Sequence, residues 1–176
     1  MFYYFFAVFV IVGTVNAVNI TDGVDGLATG TSIPVFLFFV LVTFAWGREY
    51  LQLGLFASAM VGGLLGFLRY NSHPARVFMG DVGSFFIGGA LAGMTTVTQL
   101  SLLLPIIALA MLLSSLSDLI QFAYFRATHG KRFFRMAPLH HHFELGGTPE
   151  TKIVSMYTIV TAIASGCALL IFWLCK

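Results

Sequence analysis

Charge is what this chain has least of. Among 176 residues there are nine Lys or Arg and seven Asp or Glu, together 9%, against 59% hydrophobic residues. An ordinary water-soluble domain carries about a quarter charged residues, so that class is excluded. Cysteine is equally sparse. Cys167 and Cys175 both sit in the last apolar run, where nothing indicates a disulfide or a metal ligand, and they are read as packing residues. A basic leader and a small-residue cleavage site are lacking too, because Met1 leads directly into Phe-Tyr-Tyr-Phe-Phe. The glycines match neither a Walker loop nor a dinucleotide fingerprint. No internal repeat or low-complexity linker is evident.

What is there is apolar sequence, recurring along the whole length. It predicts one domain over residues 1–176, an all-α polytopic membrane helix bundle. Runs such as Val35–Val42 are strand-like by residue type, but an open sheet cannot cross lipid. Six spans are read, at about Phe2–Val18, Ile33–Trp46, Leu51–Leu68, Ser84–Val97, Leu102–Phe125 and Ile153–Leu174. The fourth and fifth come from 36 uncharged residues between Asp81 and Asp118. As one helix these would be about 54 Å long, far beyond a hydrocarbon core of about 30 Å, so they must fold back, near Thr98–Ser101.

Alternating six spans puts Asn19–Ser32, Arg69–Gly83 and Arg126–Lys152 on one side. Seven of the nine basic residues fall there, with only Arg48 and Lys176 opposite, and the positive-inside rule makes that side cytoplasmic. All five histidines lie there, together with Asp22, Asp25, Asp81, Glu144 and Glu150.

The first of these segments contains Asn16, Asn19, Asp22-Gly23 and Asp25-Gly26-Leu27. Turn chemistry accounts for one Asp-Gly pair. Two such pairs preceded by two asparagines point to function. Spacings of three on a helical turn would align Asn16, Asn19, Asp22 and Asp25 as a polar ridge for sugar hydroxyls, amines or a hydrated metal. In the second segment Asp81 stands at the entry to a span. It either caps that helix or offers a hard oxygen to Mg²⁺. Phe78 either packs or stacks on a base, and His73 before Pro74 is read as a turn residue. The third holds His140-His141-His142 after a basic run, Lys131, Arg132 and Arg135. Imidazoles donate to phosphate or ligate metal, so a ligand-binding loop is the reading adopted over a tag scar, a plain turn or a zinc site. Asp118 lies within a span and is read as structural or supporting, through a hydrogen bond to a neighbouring helix by way of Ser114 or Ser115.

These segments resemble phospho-N-acetylmuramoyl-pentapeptide transferase, of the polyprenyl-phosphate N-acetylhexosamine-1-phosphate transferase superfamily. The resemblance rests on the Asn16–Leu27 pattern, on Phe78-Met79-Gly80-Asp81-Val82-Gly83-Ser84, and on Arg135-Met136-Ala137-Pro138-Leu139-His140-His141-His142-Phe143-Glu144. It covers nearly the whole chain but only the C-terminal half or slightly more of the family's protein. It implies Mg²⁺-dependent transfer of phospho-N-acetylmuramoyl-pentapeptide from a UDP-linked precursor to undecaprenyl phosphate, giving lipid I and UMP for peptidoglycan synthesis. By the same resemblance Asp81 matches the metal-binding aspartate, and the catalytic set is Asp81, His140, His141 and His142. Asn19, Asp22 and Asp25 match the nucleoside-side cluster, and Asn71 and Phe78 the uracil contacts.

The implied partners are UDP-N-acetylmuramoyl-pentapeptide, undecaprenyl phosphate and membrane lipid in the bacterial cytoplasmic membrane. No nucleic acid is expected, and a homodimer is compatible. The family's adjacent aspartate pair has no counterpart, since no Asp-Asp step occurs in the sequence. Asp118 stands where a glutamate is expected and Thr148 where an aromatic is common. The missing pair and the missing N-terminal helices imply that this chain alone is inactive or nearly so. The alternatives are a related polyprenyl-phosphate sugar-1-phosphate transferase, against which the long histidine motif argues, and a non-catalytic scaffold or transporter fragment. The enzyme reading requires the Asn19, Asp81 and His140 segments to converge on one cleft.

Overall fold

The computed structural model describes residues 2–174, except the side chain of Phe2. Met1, Cys175 and Lys176 lie outside the described residues, and the packing role expected of Cys175 with them. Among the described residues there are eight α-helices and no strand: α1 (Phe2–Thr21), α2 (Leu27–Trp46), α3 (Leu51–Asn71), α4 (Gly80–Val97), α5 (Leu104–Ile107), α6 (Leu109–Ala127), α7 (Leu139–Glu144) and α8 (Glu150–Leu174). In lipid every backbone polar group needs a partner within the protein, and a helix supplies it locally. Hydroxyls follow the same rule. Thr14, Thr21, Thr31, Thr43 and Thr161 each donate to the carbonyl four residues back.

Among the described residues four helices are long and apolar enough to cross a membrane: Tyr3–Thr21, Leu27–Trp46, Arg48–Asn71 and Glu150–Leu174. Ser101–Ile107 and Leu109–Ala127 add a fifth span if taken together, but they meet at 86°. The span expected over Leu102–Phe125 is thus broken in two by a bend. α6 has 19 residues, which at 1.5 Å each give about 28 Å, close to a whole hydrocarbon core. By composition α6 passes as a span only together with Ser101–Ile107, since Asp118 and Arg126 lie within it. α4 stands where the fourth span was expected. Its opening Gly80-Asp81 and its five glycines dilute its apolarity, so the six expected spans become four or five by length and composition.

Contacts between helices fix their directions. α1 and α4 are antiparallel: a Cβ at Gly88 would lie 2.7 Å from Val15 Cα, while Asn19, a turn further along α1, reaches Ser84, a turn earlier in α4. α2 and α3 are antiparallel, with Thr29 on Asn71 at one end and Thr43 against Gly54 at the other. α2 and α8 run parallel, with Gly30 against Thr158 at one end and Trp46 on Phe172 at the other. α6 and α8 are antiparallel, with Ser114 on Tyr157 and, before α6 begins, Ile107 on Ser165 further along α8. These are the directions of a chain that crosses alternately. Glycine at three of the contacts allows the close approach that helix association in lipid depends on.

Val18, Phe36, Phe39, Leu91 and Met111 fill the centre, while Phe5, Phe9, Leu55, Ile163 and Leu170 face outward. Cys167 is also exposed, which corrects the packing role expected of it. One end of the bundle collects the C-termini of α1, α3 and α6, the N-termini of α2, α4 and α8, and the short α7.

Candidate functional site

At that end α1 stops at Thr21, and the chain turns through Asp22-Gly23-Val24-Asp25-Gly26 into α2. Gly26 has φ 78°, a left-handed conformation that glycine adopts without strain. This turn corrects the expected ridge, because helical spacing does not persist past Thr21. Asn16 donates to Val12 O within its own helix at 2.8 Å. Asp25 swings away from Asn19 and accepts from the Ala75 N–H at 2.9 Å.

Asn19 and Asp22 stay with Asp81. Asn19 Nδ2 donates to Asp81 Oδ1 at 3.1 Å and to Ser84 Oγ at 2.9 Å. The approach at Gly88 sets this register, since Asn19 and Ser84 lie one turn beyond it on either helix. Asp81 follows Gly80, at φ 64°, in the first turn of α4, where the helix dipole favours an anion. No side-chain cap bond forms there, and the exposed carboxylate turns to Asn19. Asp22 is pushed up to about 6 by burial first and by the charge of Asp81 second. Two carboxylates thus share one corner, and among the described residues no Lys or Arg forms an ion pair with either.

The histidine segment closes the other wall. Gly23 packs against the imidazoles of His140 and His141, with His140 Nε2 in the place a Cβ would take and His141 Nε2 3.2 Å from it. His140 is 0% exposed, and neither ring nitrogen has a hydrogen-bond partner. Burial, then neighbouring His141, pushes it down to about 4, against the pull of Glu144. It is therefore a neutral imidazole at pH 7. His141 Nδ1 lies 2.8 Å from Glu144 Oε2, and His142 Nδ1 accepts from the Arg135 N–H at 3.2 Å. The Asn19, Asp81 and His140 segments do meet at one end.

Residues 1–99 match the family described as glycosyl transferase family 4. The chain belongs to that family. It is also 51% identical over 163 residues to a phospho-N-acetylmuramoyl-pentapeptide-transferase of Caldanaerobacter subterraneus subsp. tengcongensis, covering 93% of this chain and 51% of that protein. A protein of the same name from Thermoanaerobacter pseudethanolicus is 52% identical, with the same coverage. That of Clostridium acetobutylicum is 52% identical over 156 residues, 89% of this chain and 48% of its own length. The chain spans about half the length of the curated relatives it matches.

Two expected ligand contacts have different surroundings. Asn71 is buried, its Oδ1 accepting from Thr29 Oγ1 at 2.7 Å and its Nδ2 donating to Val77 O at 3.0 Å. Its amide holds the α3–α4 loop. Phe78, next in that loop, is 74% exposed and free to stack. The hydrogen bond expected of Asp118 by way of Ser114 or Ser115 does not form. Ser114 donates to Tyr157 OH and Ser115 to Met111 O, while Asp118 borders a cavity of about 580 Å³ with Gln121 and Arg132.

Several residues escaped the sequence reading. Gln121 clamps the loop ahead of α7, accepting from the N–H groups of Phe133 and Phe134. Ser84 shares the Asn19 amide with Asp81. Gly23 makes room for the histidines. Gly23 and Ser84 carried a signal, the first as the glycine of an Asp-Gly step and the second as the end of the Phe78–Ser84 motif.

The donor set suits a hard divalent cation. An exposed Asp81 and a half-buried Asp22 supply carboxylate oxygens where their mutual repulsion is not neutralised by a basic side chain, and oxygen ligands of this kind are what Mg²⁺ takes.

Proposed function

We propose that this chain carries the catalytic end of a phosphoglycosyl transferase that moves phospho-N-acetylmuramoyl-pentapeptide from its UDP-linked precursor to undecaprenyl phosphate, releasing UMP and forming lipid I. The polar end would face the cytoplasm of a bacterial cell, at the inner membrane. There the soluble nucleotide arrives from water and the lipid phosphate along the interface. Seven of nine basic residues at or near that end support this orientation.

In the reaction an oxygen of the lipid phosphate bonds to the phosphorus that bears the sugar, while the bond from that phosphorus to the UMP oxygen breaks. Asp81 and Asp22 would hold Mg²⁺, which when bound supplies neutralisation of the diphosphate charge. Asn19 fixes the rotamer of Asp81 through its amide. His140 and His141 turn their Nε2 atoms to the same turn. His141 Nδ1 is held by Glu144, which leaves its other nitrogen to meet a phosphate oxygen. Phe78 would stack on uracil from its exposed place in the α3–α4 loop.

The observation that carries this reading is the buried, unpartnered His140 packed on Gly23, the residue after Asp22. Burying an imidazole with both nitrogens unpaired costs free energy that a bound phosphate group returns. The test is a chimera in which this chain replaces the matching half of the Caldanaerobacter relative. The reading requires UMP release only when both the peptide-bearing nucleotide and the polyprenyl phosphate are present. No release from a folded chimera, or release with UDP-N-acetylhexosamine alone as donor, contradicts it.

A further inference from the structure

His73, read from sequence as a turn residue, stands between two carboxylates from distant segments. Its Nδ1 lies 3.4 Å from Asp25 Oδ2, in the α1–α2 turn. It lies 3.1 Å from Glu150 Oε2, in the first turn of α8. One ligand atom from each of the three residues falls within 4.8 Å of the others.

We propose that Asp25, His73 and Glu150 form a binding site for a first-row divalent transition cation such as Zn²⁺, separate from the Asp81 corner.

Two of the three ligand separations match the edges of a coordination sphere. Ligands about 2.1 Å from a shared ion stand roughly 3.0–3.4 Å apart along the edges of an octahedron or tetrahedron. Both nitrogen–oxygen separations at His73 fall within that range. The charge also fits, since two carboxylates and a neutral imidazole balance a divalent ion. Among the described residues no Lys or Arg pairs with Asp25 or Glu150 to compete for that role. The first ligand is already oriented, because the Ala75 N–H donates to Asp25 Oδ2 at 2.9 Å. Such hydrogen bonds to ligating carboxylates tune a metal site.

An imidazole in the set selects zinc-like ions over Mg²⁺, which prefers oxygen alone. The half-exposed setting leaves a face open to water or a fourth ligand. A bound ion would tie the α1–α2 turn, the α3–α4 loop and the start of α8 together.

The inference is independent of the proposed activity, because it is tested without substrate. The purified 176-residue chain in detergent is titrated with Zn²⁺ by calorimetry, with excess Mg²⁺ present throughout. One Zn²⁺ per chain is expected, with affinity falling about tenfold or more in His73→Gln and in Glu150→Gln. Asp81→Asn and His141→Gln should leave the affinity unchanged, and X-ray absorption should report one imidazole among oxygen ligands. A thermal unfolding scan without metal confirms that each variant folds. No Zn²⁺ binding, binding that survives both His73→Gln and Glu150→Gln, or binding lost with His141→Gln would each overturn the site.

Discussion

Asn19 Nδ2 and Asp81 Oδ1 lie 3.1 Å apart across 62 positions of sequence. That bond joins the end of α1 to the beginning of α4 and fixes where the Asp81 carboxylate points. The same amide also donates to Ser84, so Asn19 closes a small polar network at the edge of an apolar helix pair. Replacing it with alanine removes both bonds. Asn19→Ala should lower stability by about 1–2 kcal/mol, read as a reduced unfolding midpoint in detergent. In the active chimera it should also raise the Mg²⁺ concentration needed for half-maximal turnover. An unchanged Mg²⁺ requirement would detach Asn19 from the metal corner.

Gly88 sets the distance at which that bond forms. A Cβ there would meet Val15 Cα at 2.7 Å and Val15 O at 3.2 Å, and backbone on the facing helix cannot rotate aside. Gly88→Ala should therefore destabilise by about 1–3 kcal/mol. Combined with Asn19→Ala, it should cost less than the sum of the single losses, because the spread helices have already lost the Asn19 contacts. Strict additivity in that double-mutant cycle would show that the two positions act separately.

The pH dependence of folding carries two opposed contributions. The Asp22 carboxyl is raised from 3.8 to about 6, so its contribution to stability is present below 3.8 and lost as pH rises through about 6. The His140 imidazole is lowered from 6.5 to about 4, so its contribution is present above 6.5 and lost as pH falls through about 4. Between these limits the two oppose each other, with Asp81, His141 and Glu144 facing them as the nearby charges. Relative to the unsubstituted chain, Asp22→Asn should make stability rise more steeply with pH between 4 and 6. His140→Gln should make it fall more steeply over the same range. Denaturation midpoints at several pH values decide it, and curves parallel to the parent's would refute both assignments.

The 176-residue chain assayed alone should form no lipid I above background. Preorganised electrostatic groups supply much of the catalysis in such sites, and the family's adjacent aspartates have no equivalent in this sequence. Turnover comparable to that of the chimera would show that the Asp81 and His140 corner is sufficient by itself.

Helices were legible because apolar runs in lipid leave the backbone one local solution. The fold-back near Gln99 was legible because the uncharged stretch was too long for one crossing. Side-chain partners were not. The period of three that aligned Asp25 with Asn19 assumed a helix that ends at Thr21. Nothing in the sequence paired Asn71 with Thr29, because the two lie 42 residues apart and meet only through tertiary contact. His73 looked like a turn residue because its partners, Asp25 and Glu150, lie on other segments. The 86° bend at Ala108 had no proline at the break to announce it.

The sharpest test is Mg²⁺-dependent UMP release by the chimera carrying Asp81→Asn, measured at saturating substrates. The change keeps the shape of the side chain and removes the charge that a metal requires. The expected result is a fall in turnover of about a hundredfold or more, with the unfolding midpoint little altered and no rescue by added Mg²⁺. Turnover within a few fold of the unsubstituted chimera, at the same Mg²⁺ optimum, would contradict a metal-binding role for Asp81 and the phosphoryl-transfer site built around it.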